Sequence, residues 1–125
     1  MFPKTPLTKI LFLDIETVPQ YANFDEVPEL EKIYWEEKSS YQRKENYSAE
    51  DFYDRAGIWA EFGKIVCISV GYFSNNKGSR QFRLKTFSGP EKELLLGFKN
   101  LLDNYFSTQK HRLCAHNGKE FDFPY

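Results

Sequence analysis

Asp14 and Glu16 are two carboxylates separated by one residue, at the end of the apolar segment Leu11-Phe12-Leu13. Side chains alternate between the two faces of a strand, so residues two apart point to the same side. Two carboxylates this close repel each other, and a divalent cation such as Mg²⁺ or Mn²⁺ converts that repulsion into binding. The alternative is a solvated strand end. The apolar segment places the acids at the edge of the core and favours the metal site.

A second candidate site, containing Asn117, Phe121 and Asp122, follows a predicted strand. Asn117-Gly118 is typical of a turn, and Asp122 lies where we expect the first turn of a helix that opens at Phe121. Taken alone, this segment favours an ordinary interpretation, in which Asn117 shapes a turn and Asp122 interacts with the helix dipole.

Together, the two segments resemble the motifs of the 3′–5′ exonucleases of the DEDD type. The first motif of that family is Asp-x-Glu on the first strand, matched here by Asp14 and Glu16. The second is Asn, three residues, an aromatic residue and Asp, matched by Asn117, Phe121 and Asp122. The sequence is most similar to the bacterial exonucleases related to the proofreading domain of family B DNA polymerases. This resemblance implies an α/β fold of the ribonuclease H-like type, with a mixed sheet flanked by helices.

The same resemblance implies a two-metal mechanism for hydrolysis of the terminal phosphodiester. Asp14 would bridge two divalent ions, Mg²⁺ or Mn²⁺, while Glu16 would bind one of them and Asp122 would hold the second through water. The implied substrate is the 3′ end of single-stranded nucleic acid, with DNA favoured over RNA. Three further residues are implied to lie beside the terminal nucleotide: Thr17, Asn117 and Phe121.

The family also has a third motif, in which a Tyr or His precedes a fourth Asp by four residues on a later helix. Residues 1–125 contain no match to it, because Asp103 belongs to the predicted helix before the fourth strand. We therefore expect the chain to be the N-terminal part of a single exonuclease-like domain, incomplete at the C-terminus. We also expect it to be inactive as a fragment.

Hydrophobic periodicity predicts the elements that position these residues. Thr8–Glu16 is apolar on both faces up to the acids, which is typical of a strand inside a sheet. Residues 20–62 are polar and helix-prone, with a helix from Pro28 and another capped by Ser48. We interpret this stretch as a helical insertion, because it is too short to hold a core of its own.

The second half predicts a β-hairpin, a helix and a short strand. Lys64–Phe73 and Gln81–Phe87 read as strands joined by a turn, the second of them at an edge of the sheet. Ser88-Gly89-Pro90-Glu91 is a helix start with Ser88 as the N-cap, and an apolar stripe follows at helical spacing. His111–His116 reads as the fourth strand.

Composition limits the classes of function. A chain with 41% hydrophobic and 18% aromatic residues can bury a core, which excludes global disorder. Its longest apolar runs are too short to span a membrane, and Met1–Pro6 lacks the pattern of a signal peptide. We therefore expect a cytoplasmic protein with no membrane partner. Cys67 and Cys114 each lie in an apolar stretch and are expected to be buried, reduced thiols.

The charge is divided unevenly. Residues 1–60 hold 7 Lys or Arg and 12 Asp or Glu, and residues 61–125 hold 10 and 6. Four cations fall within nine residues of the predicted hairpin: Lys77, Arg80, Arg83 and Lys85. These cations suit binding to a phosphate backbone, or they only protect a sheet edge.

Two alternatives to an enzyme stay open. One is a non-catalytic nucleic-acid-binding module, and the other is a protein-interaction domain that uses the Tyr- and Trp-rich insertion.

Overall fold

The computed structural model describes residues 5–43 and 47–125. Two short segments lie outside the described residues. They are residues 1–4, which belong to the segment expected not to be a signal peptide, and residues 44–46 of the predicted insertion. In chain order the helices and strands are β1 (Ile10–Pro19), α1 (Glu29–Ser40), α2 (Ala49–Phe52), β2 (Gly63–Asn76), β3 (Ser79–Ser88), α3 (Glu91–Tyr105) and β4 (Arg112–Cys114). Short 3₁₀ turns occur at Leu7–Lys9, Phe24–Glu26 and Tyr53–Ile58.

The four strands form one mixed sheet in the order β3-β2-β1-β4. β1 is parallel to β4, and β2 is antiparallel to β3. β1 therefore lies inside the sheet and β3 at its edge, as the hydrophobic patterns of these segments predict. The chain has an α/β fold, which confirms the predicted class at this coarser level.

The hairpin is tighter than the sequence indicates. Asn76 pairs with Ser79, so that Lys77 and Gly78 alone form the turn. Both have positive φ, 51° at Lys77 and 82° at Gly78, which are the values that a type I′ turn requires. This turn matches the right-handed twist of the two strands, which pair from Asn76 and Ser79 back to Cys67 and Ser88.

Helix α3 covers one face of the sheet. Leu94 and Leu101 on the helix pack in a single core with Leu11, Leu13 and Ile15 of β1.

The prediction that Ser88 is the N-cap of α3 is wrong. The N-cap is Pro90, and no side chain caps this helix. The first-turn carboxylate of Glu91 instead accepts a hydrogen bond from the Ile65 N–H at 2.5 Å, which ties the start of α3 to β2.

The chain divides into two compact units, one formed by Met1–Glu16 with Ile65–Tyr125 and the other by Thr17–Lys64. The second unit has a hydrophobic core of its own, formed by Val27, Trp35, Tyr53 and Ala56. Trp35 is fully buried, and its indole Nε1–H donates to the carbonyl of Ala49 at 2.8 Å. Our expectation that this stretch is too short for a core is wrong, because closely packed aromatic rings fill the space that a longer chain would fill.

Two further details differ from the sequence-based expectations. Cys114 is exposed, because β4 is a short edge strand whose three residues are all exposed, whereas Cys67 is half-buried. Residues 116–124 form successive turns and not the predicted helix. The N–H groups of Phe121 and Tyr125 each bond the carbonyl four residues back, but that of Phe123 between them bonds Gly118, five residues back. The i→i−4 bonds of an α-helix are therefore not continuous here.

Within residues 5–43 and 47–125, no helix combines the length and the hydropathy that crossing a bilayer requires.

Candidate metal centre

Strand β1 presents Asp14 and Glu16 on its exposed face. Along the strand, Leu11, Leu13 and Ile15 are buried against the core, while Asp14 and Glu16 between and beyond them are exposed. The alternation that the sequence predicts is therefore present, and both carboxylates leave the sheet on the same side. That arrangement suits a shared cation.

The same face of the sheet carries a group of phenylalanine rings. Phe12, two residues before Asp14, lies edge-on to Phe73 and Phe82, with ring centroids 6.2 Å and 6.4 Å away. Phe82 also covers Gly71, where a Cβ would lie 2.4 Å from its ring. On this face of β1, Phe12 is followed by Asp14 and then Glu16. The two acids therefore border an aromatic surface.

Asp122 contacts the main chain of β1 between the two acids. The N–H of Ile15, between Asp14 and Glu16, donates a hydrogen bond to Asp122 Oδ2 at 3.1 Å. The two residues are 107 positions apart in the sequence. The structure therefore brings together the carboxylates of both predicted motifs.

The charges of this group interact. The pKa of Glu16 is raised above its ordinary value, first by the neighbouring Asp14 carboxylate, which can accept a hydrogen bond from protonated Glu16, and then by the negative charge of Asp14. Slight desolvation and the charge of Asp122 add to this effect. Each cause disfavours the ionised form of Glu16. A cation bound between the two groups would remove this repulsion by neutralising both.

A compact turn holds Asp122 in position. Asn117 adopts a left-handed conformation with φ of 53°, which Asn tolerates better than most residues. Its carbonyl accepts hydrogen bonds from the N–H groups of Glu120 and Phe121, at 3.1 Å and 3.2 Å. Gly118 is buried, and a Cβ there would lie 2.8 Å from both Ala115 and the Phe123 ring. The Asn-Gly pair thus fixes the path of the chain into Asp122.

The predicted substrate-binding residues are placed differently from one another. Thr17 is half-buried on β1, immediately after Glu16, and belongs to the second unit. Asn117 is exposed at the turn. Phe121 packs against the core of the first unit, and its ring lies 5.5 Å from that of Tyr125. Phe121 therefore has a structural contact that its motif does not reveal.

The fit of these residues to a divalent ion rests on the Asp14–Glu16 pair. In the part of the chain that the structure describes, no group of three or more His, Cys, Asp or Glu side chains is close enough to hold a metal ion. Asp122 acts on Glu16 only as a weaker, neighbouring charge, and its Oδ2 accepts from Ile15. Two mutually repelling carboxylates on one exposed strand face remain, and their oxygens suit Mg²⁺ or Mn²⁺.

Sequence reasoning missed the main-chain amide of Ile15 as a positioning group. No sequence signal reveals it, because every residue except proline carries the same amide. Only the pairing of β1 with β4 in parallel brings the segment after β4 to this end of β1.

Comparisons of this chain with protein-family models, with curated proteins and with solved structures give no match.

Proposed function

We propose that this chain carries the metal-binding face of a metal-dependent 3′–5′ exonuclease, on a ribonuclease H-like fold. The observation that supports the proposal is the hydrogen bond from Ile15 N–H to Asp122, which unites two motifs that are far apart in the sequence. Either motif alone has an ordinary explanation. The two motifs meet at one strand end, where both neighbouring acids raise the pKa of Glu16, and acids perturbed in this way are typical of functional sites.

In this proposal Asp14 and Glu16 hold the divalent ions, Mg²⁺ or Mn²⁺. The bound ions supply charge neutralisation and activation of a water for attack on the terminal phosphodiester. The Ile15 amide holds Asp122 beside the pair. Thr17 directly follows Glu16, and Asn117 begins the turn that leads to Asp122. We assign both to the terminal nucleotide of a single strand, with DNA preferred over RNA. Phe121 is also a candidate contact of the nucleotide, and its partly buried side chain packs against the core of the first unit.

The test is digestion of a single-stranded oligonucleotide labelled at its 3′ end, in the presence of Mn²⁺. The full natural protein that contains this sequence should release labelled mononucleotides, and Asp14→Ala should abolish the release. Residues 1–125 alone should give little or no turnover, because they contain no match to the third motif of the family. The matched control is Glu120→Gln, which removes an exposed acid two residues before Asp122. Release that Asp14→Ala leaves unchanged would overturn the proposal.

A second candidate function is non-catalytic binding of nucleic acid. The observation that favours it is the hairpin, where all four cations are exposed: Lys77, Arg80, Arg83 and Lys85. Arg83 and Lys85 lie on one face of β3, as residues two apart do. Binding through these groups needs no metal and weakens steeply with salt. Binding that EDTA leaves unchanged, without release of nucleotides by the full protein, would favour this function over the enzyme.

A further inference from the structure

Helix α1 of the second unit has an apolar stripe on its outward side. Trp35 and Ser39 face inward and are buried. On the other side, apolar or aromatic residues recur at helical spacing along α1 and at its C-cap, Tyr41. Each is largely exposed: Leu30 59%, Ile33 59%, Tyr34 52% and Tyr41 88%. An amphipathic surface helix normally presents polar residues to solvent. Contiguous exposed apolar residues of this kind mark an interaction surface.

A groove of about 470 Å³ lies beside this stripe within the second unit. It combines aromatic walls with carboxylates and is lined by Glu31, Tyr34, Glu37, Lys38, Tyr41, Glu61 and Phe62. Three glutamates face one lysine, so the groove is anionic. Aromatic faces and carboxylates together favour an organic cation, because the ring quadrupole and the anionic oxygens both attract it.

One ammonium group is already present in the groove. Lys38 Nζ lies 3.3 Å from Glu61 Oε1. A hydrogen bond from its own main chain, followed by this contact with Lys38, lowers the pKa of Glu61 and keeps the carboxylate ionised at neutral pH. Glu31 and Glu37 have no such partner among the salt bridges of the described residues. The contact between Lys38 and Glu61 therefore shows how a cationic side chain binds in the groove. Glu31 and Glu37 are two further anionic positions for such a group.

The charge of the second unit restricts the occupant. Residues 17–64 hold 6 Lys or Arg against 11 Asp or Glu. A surface of this sign repels a phosphate backbone, whereas it attracts a basic polypeptide. The apolar stripe adds a requirement for aliphatic side chains in the same partner.

We propose that the outward side of α1, with its acidic groove, is a docking site for a basic, amphipathic segment of a partner protein. The aliphatic residues of the segment pack on Leu30 and Ile33. Its Arg or Lys side chains enter the groove between Tyr34 and the glutamates. This site is independent of the carboxylates on β1 and does not rest on the proposed nuclease activity.

The test uses a dye-labelled synthetic helix of Leu and Arg, titrated with the chain and followed by fluorescence anisotropy. A matched peptide carries Gln in place of each Arg. The Arg peptide should bind with an affinity that falls as salt rises, and the Gln peptide should bind at least tenfold more weakly. Tyr34→Ala should weaken binding about threefold, and Glu37→Gln by a similar factor.

Glu50→Gln is the matched control, because it removes one exposed acid of the same unit outside the groove. It should leave the affinity unchanged. Near-ultraviolet circular dichroism of the Trp35 environment checks that each variant is folded, and NMR shift mapping should place the peptide on Tyr34 and Glu61. Two outcomes would overturn the proposal: equal affinity for both peptides, or an equal effect of Glu50→Gln and Glu37→Gln.

Discussion

On the exposed face of β1, the carboxylate of Asp14 lies beside Glu16, and the interaction with the Asp14 side chain is the largest cause of the raised pKa of Glu16. A hydrogen bond between two carboxyl groups requires a proton on one of them. A protonated Glu16 can donate to the Asp14 carboxylate, whereas two ionised carboxylates side by side only repel each other. A divalent cation bound between the two acids would compete with that proton for the same oxygens.

Asp14→Asn should lower the pKa of Glu16 towards its ordinary value of 4.5, because the substitution removes the charge of Asp14. A ¹³C NMR titration of the Glu16 carboxyl measures this directly. The folded state with Asp14 binds its proton more tightly than the unfolded state, so stability falls as pH rises from about the ordinary pKa through the raised one. Asp14→Asn should flatten that part of the pH profile. Glu120→Gln should leave the Glu16 titration unchanged.

Mn²⁺ should broaden the NMR signals of residues 14–16 and 122 selectively, because a paramagnetic ion relaxes nearby nuclei. Mg²⁺ should raise the melting temperature by an amount that depends on its concentration, as any ligand specific to the folded state does. Both effects should disappear in Asp14→Asn and persist in Glu120→Gln. Broadening centred on the second unit would contradict a metal site on β1.

Asp122→Ala should destabilise the chain by about 1 to 3 kcal/mol, the usual contribution of a hydrogen bond to a charged acceptor. It leaves the Ile15 N–H without its acceptor. Asp122→Asn retains a side-chain oxygen and should cost less, while still removing the charge that acts on Glu16. Hydrogen exchange at the Ile15 amide should accelerate in the Ala variant and much less in the Asn variant. Equal exchange in both would contradict the assigned contact.

Trp35→Phe should destabilise the second unit by about 1 to 3 kcal/mol. It removes the indole N–H that bonds the Ala49 carbonyl at 2.8 Å and part of the ring that fills the core of that unit. Urea unfolding followed by near-ultraviolet circular dichroism measures the loss. Tyr47→Phe, at an exposed aromatic position of the same unit, should change stability by less than about 0.5 kcal/mol.

Lys77→Asn should stabilise the hairpin by about 0.5 kcal/mol, because Asn adopts positive φ at lower cost than Lys does. Lys77 has φ of 51° and is followed by Gly78 in the two-residue turn. Thermal unfolding detects the gain. Lys77→Ala removes the same charge without relieving the conformation, and it should give no stabilisation. A gain in both variants would assign the effect to charge.

The sequence predicts the elements with a strong local pattern. The two-sided apolar pattern before Asp14, the turn residues of the hairpin and the helical stripe through Leu94 and Leu101 each determine their element locally. The placement of Asp14 and Glu16 on one face follows from the strand period alone. The ribonuclease H-like assignment and the nuclease activity stay predictions that rest on the motifs.

What the sequence does not predict depends on tertiary contacts. Glu91 binds the Ile65 amide at the start of α3, a partner 26 residues away that outweighs the local signal of Ser88. The core around Trp35 forms from rings spread over the second unit, and no short window contains them. Cys114 has an apolar local sequence but lies on an edge strand, where burial depends on neighbouring elements.

The hydrogen bond between Ile15 and Asp122 also has a consequence for the order of folding. The β2–β3 hairpin pairs residues close in sequence, and α3 forms within fifteen residues, so both need little loop closure. Bringing Asp122 to β1 closes a loop of 107 residues, and contacts of such long separation form late. We therefore expect Asp122 to reach β1 only after the hairpin and α3 have formed, so that a partly folded chain has the hairpin and α3 without the acidic site.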